Sequence, residues 1–290
     1  MPQFGISTYS LHKTLIDGRF TLLTGMAWIK GQGVDHLEVA KVEEFNRMNI
    51  TVDSFLTQAR ELDLNLSCYS VSGDVVNKNL IERRREVARL KGEIDTAARL
   101  GLPYMRHDLG PWGIPEGEDS DELFELNLKV IAEAARELAD YGEKQGVCCL
   151  VENHGLLVNG ASRLLRLYEA VDRDNFGFIL DIGNFLYVDE DPIESVKQLV
   201  PYTKLVHAKD LHVKQQVANS QKERYFETAG GSYLRGAVFG EGDLPITEIL
   251  KVIKRAGFDG PITLEYEGEE DSVDGTARGL EHLRGMWAKA

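Results

Sequence analysis

Four short stretches each run an apolar segment straight into ionisable side chains. "VCCLVENHG" (147–155) delivers Glu152, Asn153 and His154. "FGFILDIGN" (176–184) delivers Asp181 and, three residues on, Asn184. "KLVHAKD" (204–210) delivers His207, Lys209 and Asp210, and "PITLEYEG" (261–268) delivers Glu265 and Glu267. One such ending is ordinary, but a series of them suggests shared chemistry. If these runs are neighbouring strands, about 4.8 Å apart, then Glu152, Asp181, His207 and Glu265 can converge on one point. Carboxylates crowded together without a counter-charge push their pKa values up, and a divalent cation relieves that repulsion. Mostly oxygen donors with one imidazole favour Mn²⁺, Mg²⁺ or Co²⁺, Mn²⁺ foremost, with Zn²⁺ admitted.

The elements that must position these groups read as an alternation. Strand-like runs cover 3–8, 36–40, 64–71, 103–110, 147–155, 176–184, 204–210 and 261–268. Between them lie amphipathic stretches at 18–33, 52–63, 81–101, 119–146, 161–172, 191–200 and 244–257, with a closing one at 272–290. Pro192 suits a first helical turn, and Gly101 and Gly257 stand where helices stop. Strands separated by helices pair in parallel. Eight such units predict a single-domain (β/α)8 TIM barrel over residues 1–290, whose active site lies at the C-terminal strand ends. An open doubly wound sheet fits less well, because "STYSLHK" rather than a glycine-rich phosphate turn follows the first strand. The connection from 210 to 243 is long enough to be read as a lid, a binding loop or an interface with a partner subunit or a second copy.

The composition narrows the function classes. The net charge of −14 argues against a polyanion such as DNA, whose affinity comes mainly from basic contacts to phosphate. The basic cluster "ERRRE" (82–86) is flanked by acidic residues and reads as a solvated helix face. Cys68, Cys148 and Cys149 are odd in number and sit in apolar runs, as buried thiols of a reducing compartment would. The start "MPQFGISTYS" carries no secretory pattern, and no window reaches the roughly 18 apolar residues of a membrane span. A cytoplasmic protein without membrane or nucleic-acid partners is expected.

The series "LVENHG", "FILDIGNF", "KLVHAKD" and "ITLEYEG" resembles the xylose-isomerase-like TIM barrels. That superfamily includes sugar isomerases, ketose 3-epimerases, inosose dehydratases and a DNA-repair endonuclease branch. The resemblance implies that Glu152, Asp181, His207 and Glu265 hold the metal, and that Glu152 and Glu265 also act as the acid/base pair. A metal-dependent sugar isomerase or epimerase, acting on a keto-sugar or related polyol, is the expectation. Two positions depart from the epimerase pattern: Asn184 stands where a His is usual, and Val158 where a second Glu is usual. The Asn also counts against the endonuclease branch. His154, two residues after Glu152 on the same strand face, resembles the separate base of lyase branches that act on a 3-keto-glycoside or keto-inositol.

Further residues are candidates for holding the sugar. Lys209 and His212 follow the seventh strand and could meet a ligand above the metal, while Lys209 could instead pair with an acidic neighbour. Asn184 follows the sixth strand. The epimerases place a substrate-binding Arg in the region of Arg235; a solvated loop Arg is the plainer reading. Of Arg106 and His107, one should face the pocket, and His107 is taken as the candidate. Glu38 ends the second strand, either on sugar hydroxyls or in an ion pair. Tyr9 and Tyr69 could floor the pocket and Trp112 wall it, although core packing is commoner for such residues. His12, His36 and His282 read as structural.

Overall fold

The computed structural model describes residues 2–40 and 50–290. Its strands are β1 (Phe4–Ser7), β2 (His36–Ala40), β3 (Asn65–Val71), β4 (Tyr104–His107), β5 (Cys148–Glu152), β6 (Phe176–Asp181), β7 (Thr203–Ala208), β8 (Asp210–Lys214), β9 (Phe226–Glu227), β10 (Tyr233–Ala237) and β11 (Ile262–Leu264). Eight of these close a parallel barrel in the order β1-β11-β7-β6-β5-β4-β3-β2. The expected TIM barrel is the observed fold, with β5, β6, β7 and β11 adjacent, as the site requires.

Local sequence explains the helices around it. Asn79 caps the helix Leu80–Arg99 through Oδ1, which accepts from the amides of Ile81 and Glu82, and the Glu82 carboxylate accepts from the Asn79 amide in return. Such a reciprocal cap satisfies amides a helix start would otherwise strand. Asp119 caps Ser120–Gln145 one way only, its Oδ1 accepting from the amides of Asp121 and Glu122, and that helix ends at Gly146, whose φ of 73° suits a residue without a Cβ. The helix read over 18–33 begins only at Leu22, because Thr21 and Thr24 cap each other there. No helix among the described residues is long and apolar enough to cross a membrane.

Strand alternation sorts the side chains into two cores. Cys68, Leu150, Ile179 and Leu205, with Tyr104 and Cys148, fill the barrel interior. The alternate residues, Met105, Cys149, Val151, Leu180 and Val206 among them, pack outward against the helices. Adjacent Cys148 and Cys149 therefore face opposite ways, as expected. Cys68 and Cys149 are buried, Cys148 is half-buried, and all three are free thiols.

The 210–243 connection differs from a plain loop. It carries a three-stranded antiparallel sheet, β8-β10-β9, standing beyond the barrel. Asp210 anchors its base. Its Oδ1 accepts from the amides of Leu211 and Leu244, and its Oδ2 from those of Gly240 and Gly242. Gly236 lets β10 lie flat against the segment after β11, since a Cβ there would come within 2.3 Å of the Glu267 carbonyl oxygen.

Candidate metal centre

Inward-facing positions at the ends of β5, β6 and β7, together with Glu265 just past β11, bring four side chains together. One ligand atom each from Glu152, Asp181, His207 and Glu265 lies within 4.8 Å of all the others. The first three side chains are almost wholly buried and Glu265 is slightly exposed. A cavity of about 220 Å³ opens above them, lined by Tyr9, Arg106, Asp108, His154 and Glu267 among others.

Two of the four, His207 and Asp181, are held from behind. His207 Nε2 lies 2.7 Å from Glu38 Oε2, which leaves Nδ1 turned toward Glu152 at 3.2 Å and Glu265 at 3.8 Å. Glu38 is in turn fixed by a hydrogen bond from Ser70 Oγ at 2.9 Å. A carboxylate behind an imidazole sets which ring nitrogen faces a metal. Asp181 Oδ1 accepts from the amides of Gly183 and Asn184, and the Asn153 side chain bridges the Asp181 backbone. Asp181 Oδ2, by contrast, takes no backbone amide and faces the Lys209 ammonium at 3.0 Å. Three carboxylates and one imidazole whose donor atoms lie within 4.8 Å of one another make a donor set that fits a divalent ion.

Positive charge is interleaved with these carboxylates. Lys209, almost fully buried, places its Nζ 2.8 Å from Glu265, 3.0 Å from Asp181 and 3.3 Å from Glu267. Arg106 reaches Glu152 at 2.8 Å and Asp108 at 2.9 Å. Burial opposes the charge on Glu152, but Arg106 and His207 override it and hold the carboxyl well below its usual range. Burial likewise opposes ionisation of Glu265, which Lys209 and then His207 bring below normal. Asp181 goes the other way, pushed up to about 6 by burial and by repulsion from Glu152 and Glu265, with Lys209 offsetting only part. His207 loses some basicity to burial, yet the carboxylates of Glu38, Glu265 and Glu152 raise it well above an ordinary imidazole.

His154 lines the cavity and sets its Nδ1 3.2 Å from Asp108 Oδ1. Burial lowers its pKa, and the Asp108 charge outweighs that and raises it. Asp108 thus orients one face of the imidazole and leaves Nε2 for a ligand.

The residues expected to hold the sugar fall elsewhere. His107 faces outward with Met105, fully buried, its Nδ1 against the Asp108 carbonyl and its Nε2 without a partner. Arg106, on the inward side with Tyr104, reaches the pocket instead. Glu38 lies beneath the cavity, behind His207. Asn184 is a brace, donating Nδ2 to Glu152 and accepting from Lys209 through Oδ1. Lys209 is itself buried among the carboxylates. Arg235 and His212 sit opposite each other on β10 and β8, where Arg235 pairs with Glu269 at 2.8 Å and His212 approaches Asp243 at 3.8 Å. Neither lines the cavity. Tyr9 does, its phenol pushed up to about 12 by burial and then by Glu267 and Glu265. Tyr69 points away and donates to Glu93 at 3.0 Å. The sequence reading did not single out Asp108. Its signal was parity: it stands two residues after Arg106 and four after Tyr104.

Comparison with known proteins agrees with this architecture. The family model described as Xylose isomerase-like TIM barrel matches residues 26–286. The inosose dehydratase of Lacticaseibacillus casei is 26% identical over 151 residues, which is 52% of this chain and 50% of that protein. The chain spans between 46% and 64% of the length of the first curated relatives it matches. Among solved structures, the IOLI protein with a bound zinc atom superposes with a TM-score of 0.77 at 16% identity, covering 99% of this chain and 98% of that one. D-allulose 3-epimerase from Methylomonas sp. superposes with a TM-score of 0.71 at 17% identity, covering 98% of each. At such identities the structural likeness is one of fold.

Proposed function

The chain belongs to the xylose isomerase-like TIM barrel family, and from that premise we propose that it is a divalent-metal-dependent sugar isomerase or epimerase. The substrate is a keto-sugar or related polyol. The observation that carries this reading is the convergence of Glu152, Asp181, His207 and Glu265 beneath a cavity of sugar-like size. These four residues hold the ion. Their three carboxylates and one imidazole suit Mn²⁺, with Mg²⁺, Co²⁺ or Zn²⁺ as alternatives. When bound, the ion polarises a sugar carbonyl and its neighbouring hydroxyl and so acidifies the adjacent C–H.

The chain's own groups then move the proton. Glu152 and Glu265 stand at the ends of strands separated by β6 and β7, so they flank a ligand between them. Arg106 beside Glu152 and Lys209 beside Glu265 favour the ionised form, which is the state a base needs. One carboxylate accepts the proton, and the other must enter the step protonated to return one on the opposite face. Arg106, Glu267 and Tyr9 offer hydrogen bonds to hydroxyls in the cavity.

A second reading, a lyase or dehydratase on a 3-keto-glycoside or keto-inositol, is favoured by the Asp108–His154 pair. There His154 takes the proton, and a group leaves from the neighbouring carbon. The inosose dehydratase relative supports this alternative. Incubating the Mn²⁺-loaded protein with a panel of keto-sugars in D₂O separates the two. Gain of deuterium without loss of a group supports isomerisation, loss of water or of an aglycone supports the lyase, and no exchange with any member sinks both.

A further inference from the structure

The arginines of "ERRRE" (82–86) lack the neighbours that would neutralise them. Glu82 is engaged in the Asn79 cap, and Glu86 pairs with Arg89 at 2.7 Å. Among the described residues Arg83, Arg84 and Arg85 form no ion pair, and the buried Nε of Arg83 has no hydrogen-bond partner. Their helix, Leu80–Arg99, runs parallel to its neighbour, Ser120–Gln145. Lys91 Nζ reaches Glu137 at 2.7 Å, and the Tyr141 hydroxyl donates to Asp95 at 2.8 Å, both pairs being 46 residues apart. The same offset sets Leu80 level with Leu126. Of the five large hydrophobic side chains exposed among the described residues, three belong to this corner: Leu80 at 56%, Ile81 at 64% and Leu126 at 72%. Single exposed leucines are ordinary, but a group of them marks a contact surface.

A groove of about 360 Å³ runs between the two helices. Val87, Ala88, Val130 and Ala134 give it an apolar lining. Its walls carry opposite charge: Arg83, Arg84 and Lys91 stand on one helix, Glu133 and Glu137 on the other. Lys129 offsets Glu133 only partly, at 3.9 Å. A polyanion along this groove would meet the acidic wall, and a basic peptide would meet the arginines. A second copy of the chain meets neither conflict. A two-fold axis running along the groove lays the arginine wall of each copy on the glutamate wall of the other. Because the helices are parallel, that axis also keeps the heights, so Leu80 of one copy comes level with Leu126 of the other. Such self-complementarity is what a closed two-fold interface requires. We propose that the face formed by Leu80–Arg99 and Ser120–Gln145 is the interface of a homodimer, with Arg83 and Arg84 paired across it to Glu133 and Glu137. A face two helices wide falls toward the small end of stable interfaces, roughly 800 Å² on each partner, so the dimer dissociates in the micromolar range.

Sedimentation of the full chain from about 1 to 200 µM at low salt tests this, since that range brackets a micromolar Kd. The wild type should pass from monomer to dimer across it. Arg84→Glu places like charges together twice, once on each side of the axis, and should weaken the dimer at least about tenfold. Glu133→Arg should do the same. An equimolar mixture of the two variants restores both pairs, so it should form a heterodimer within about threefold of the wild-type affinity. Leu126→Ser should weaken the wild-type dimer without touching a charge. All three side chains are exposed, so the variants keep the fold, which circular dichroism checks. A wild type that stays monomeric throughout overturns the proposal. So does a dimer that either reversal leaves intact, or one that the mixture fails to restore, since each places the contact on another face.

Discussion

Replacing Lys209 with Met tests how charge is arranged around the four ligands. The ammonium lies within 3.0 Å of both Asp181 and Glu265 and 3.3 Å from Glu267, with almost no access to water. Methionine matches the aliphatic stem as far as Cε but brings no charge. Removing one partner of a buried ion pair costs about 3–5 kcal/mol. That cost falls on the metal-free protein, where Lys209 is a main counter-charge for Asp181 and Glu265. A divalent ion at the same oxygens carries twice the charge, so the metal-loaded variant loses much less. By linkage the difference reappears as tighter metal binding. If half of the lower bound is recovered, about 1.5 kcal/mol, the Kd for Mn²⁺ falls about tenfold. Thermal unfolding with and without Mn²⁺, and competition against a chelator, read both sides. The metal-free variant should melt lower by roughly 6 °C or more, at 2–4 °C per kcal/mol, and Mn²⁺ should restore about half of that loss. Unchanged or weaker Mn²⁺ binding in the variant would mean that the ammonium and the ion do not share these carboxylates, and the charge argument would be wrong.

Other perturbations have equally definite outcomes. His107 is buried away from the site with its pKa pushed down to about 4 by burial, against 6.5 when unfolded. The unfolded chain therefore binds more protons between those values, and stability is present above 6.5 and lost as pH falls toward 4. The loss from pH 7 to pH 5 is about 2 kcal/mol, and urea titrations should show His107→Asn losing less over the same interval than the wild type. His154→Gln should leave Mn²⁺ content intact. It should lower turnover on the accepted substrate at least about a hundredfold if His154 is the base, with Asp108→Asn weaker in the same direction. A loss below tenfold would return the proton to Glu152 and Glu265. Asp210→Ala strands the amides of Leu211, Gly240, Gly242 and Leu244, at about 1–3 kcal/mol for each that stays buried. Limited proteolysis should then cut within 210–243 before the barrel unfolds, whereas Asp210→Asn, retaining one acceptor, should cut more slowly.

The barrel and the four converging groups were legible because both rest on periodicity. Eight β-rich runs alternating with amphipathic ones leave few architectures, and inward parity on β5, β6 and β7 places Glu152, Asp181 and His207 without reference to side-chain detail. What the sequence left open needed three-dimensional closure. Glu38 and His207 are 169 residues apart, and their contact follows only once β2 and β7 face across a closed barrel. The choice between Arg106 and His107 was one of parity, and Tyr104 beside the inner cluster decides it for Arg106. Lys209 stayed open between a ligand-binding cation and an ion pair, because nothing in the sequence shows that it turns down into the carboxylates. The strands of the 210–243 excursion are short and partly polar, which hides their alternation. Trp112, Tyr187 and Phe226 meet from segments more than a hundred residues apart end to end, beyond any local pattern.

The central claim is that Glu152, Asp181, His207 and Glu265 hold one divalent ion. Metal content of the purified protein by ICP mass spectrometry, after reconstitution with Mn²⁺, tests it directly against Glu265→Gln and His207→Ala. About one equivalent in the wild type, lost from both folded variants, is the predicted result. A wild type that takes up no metal, or variants that retain it in full, would contradict the site.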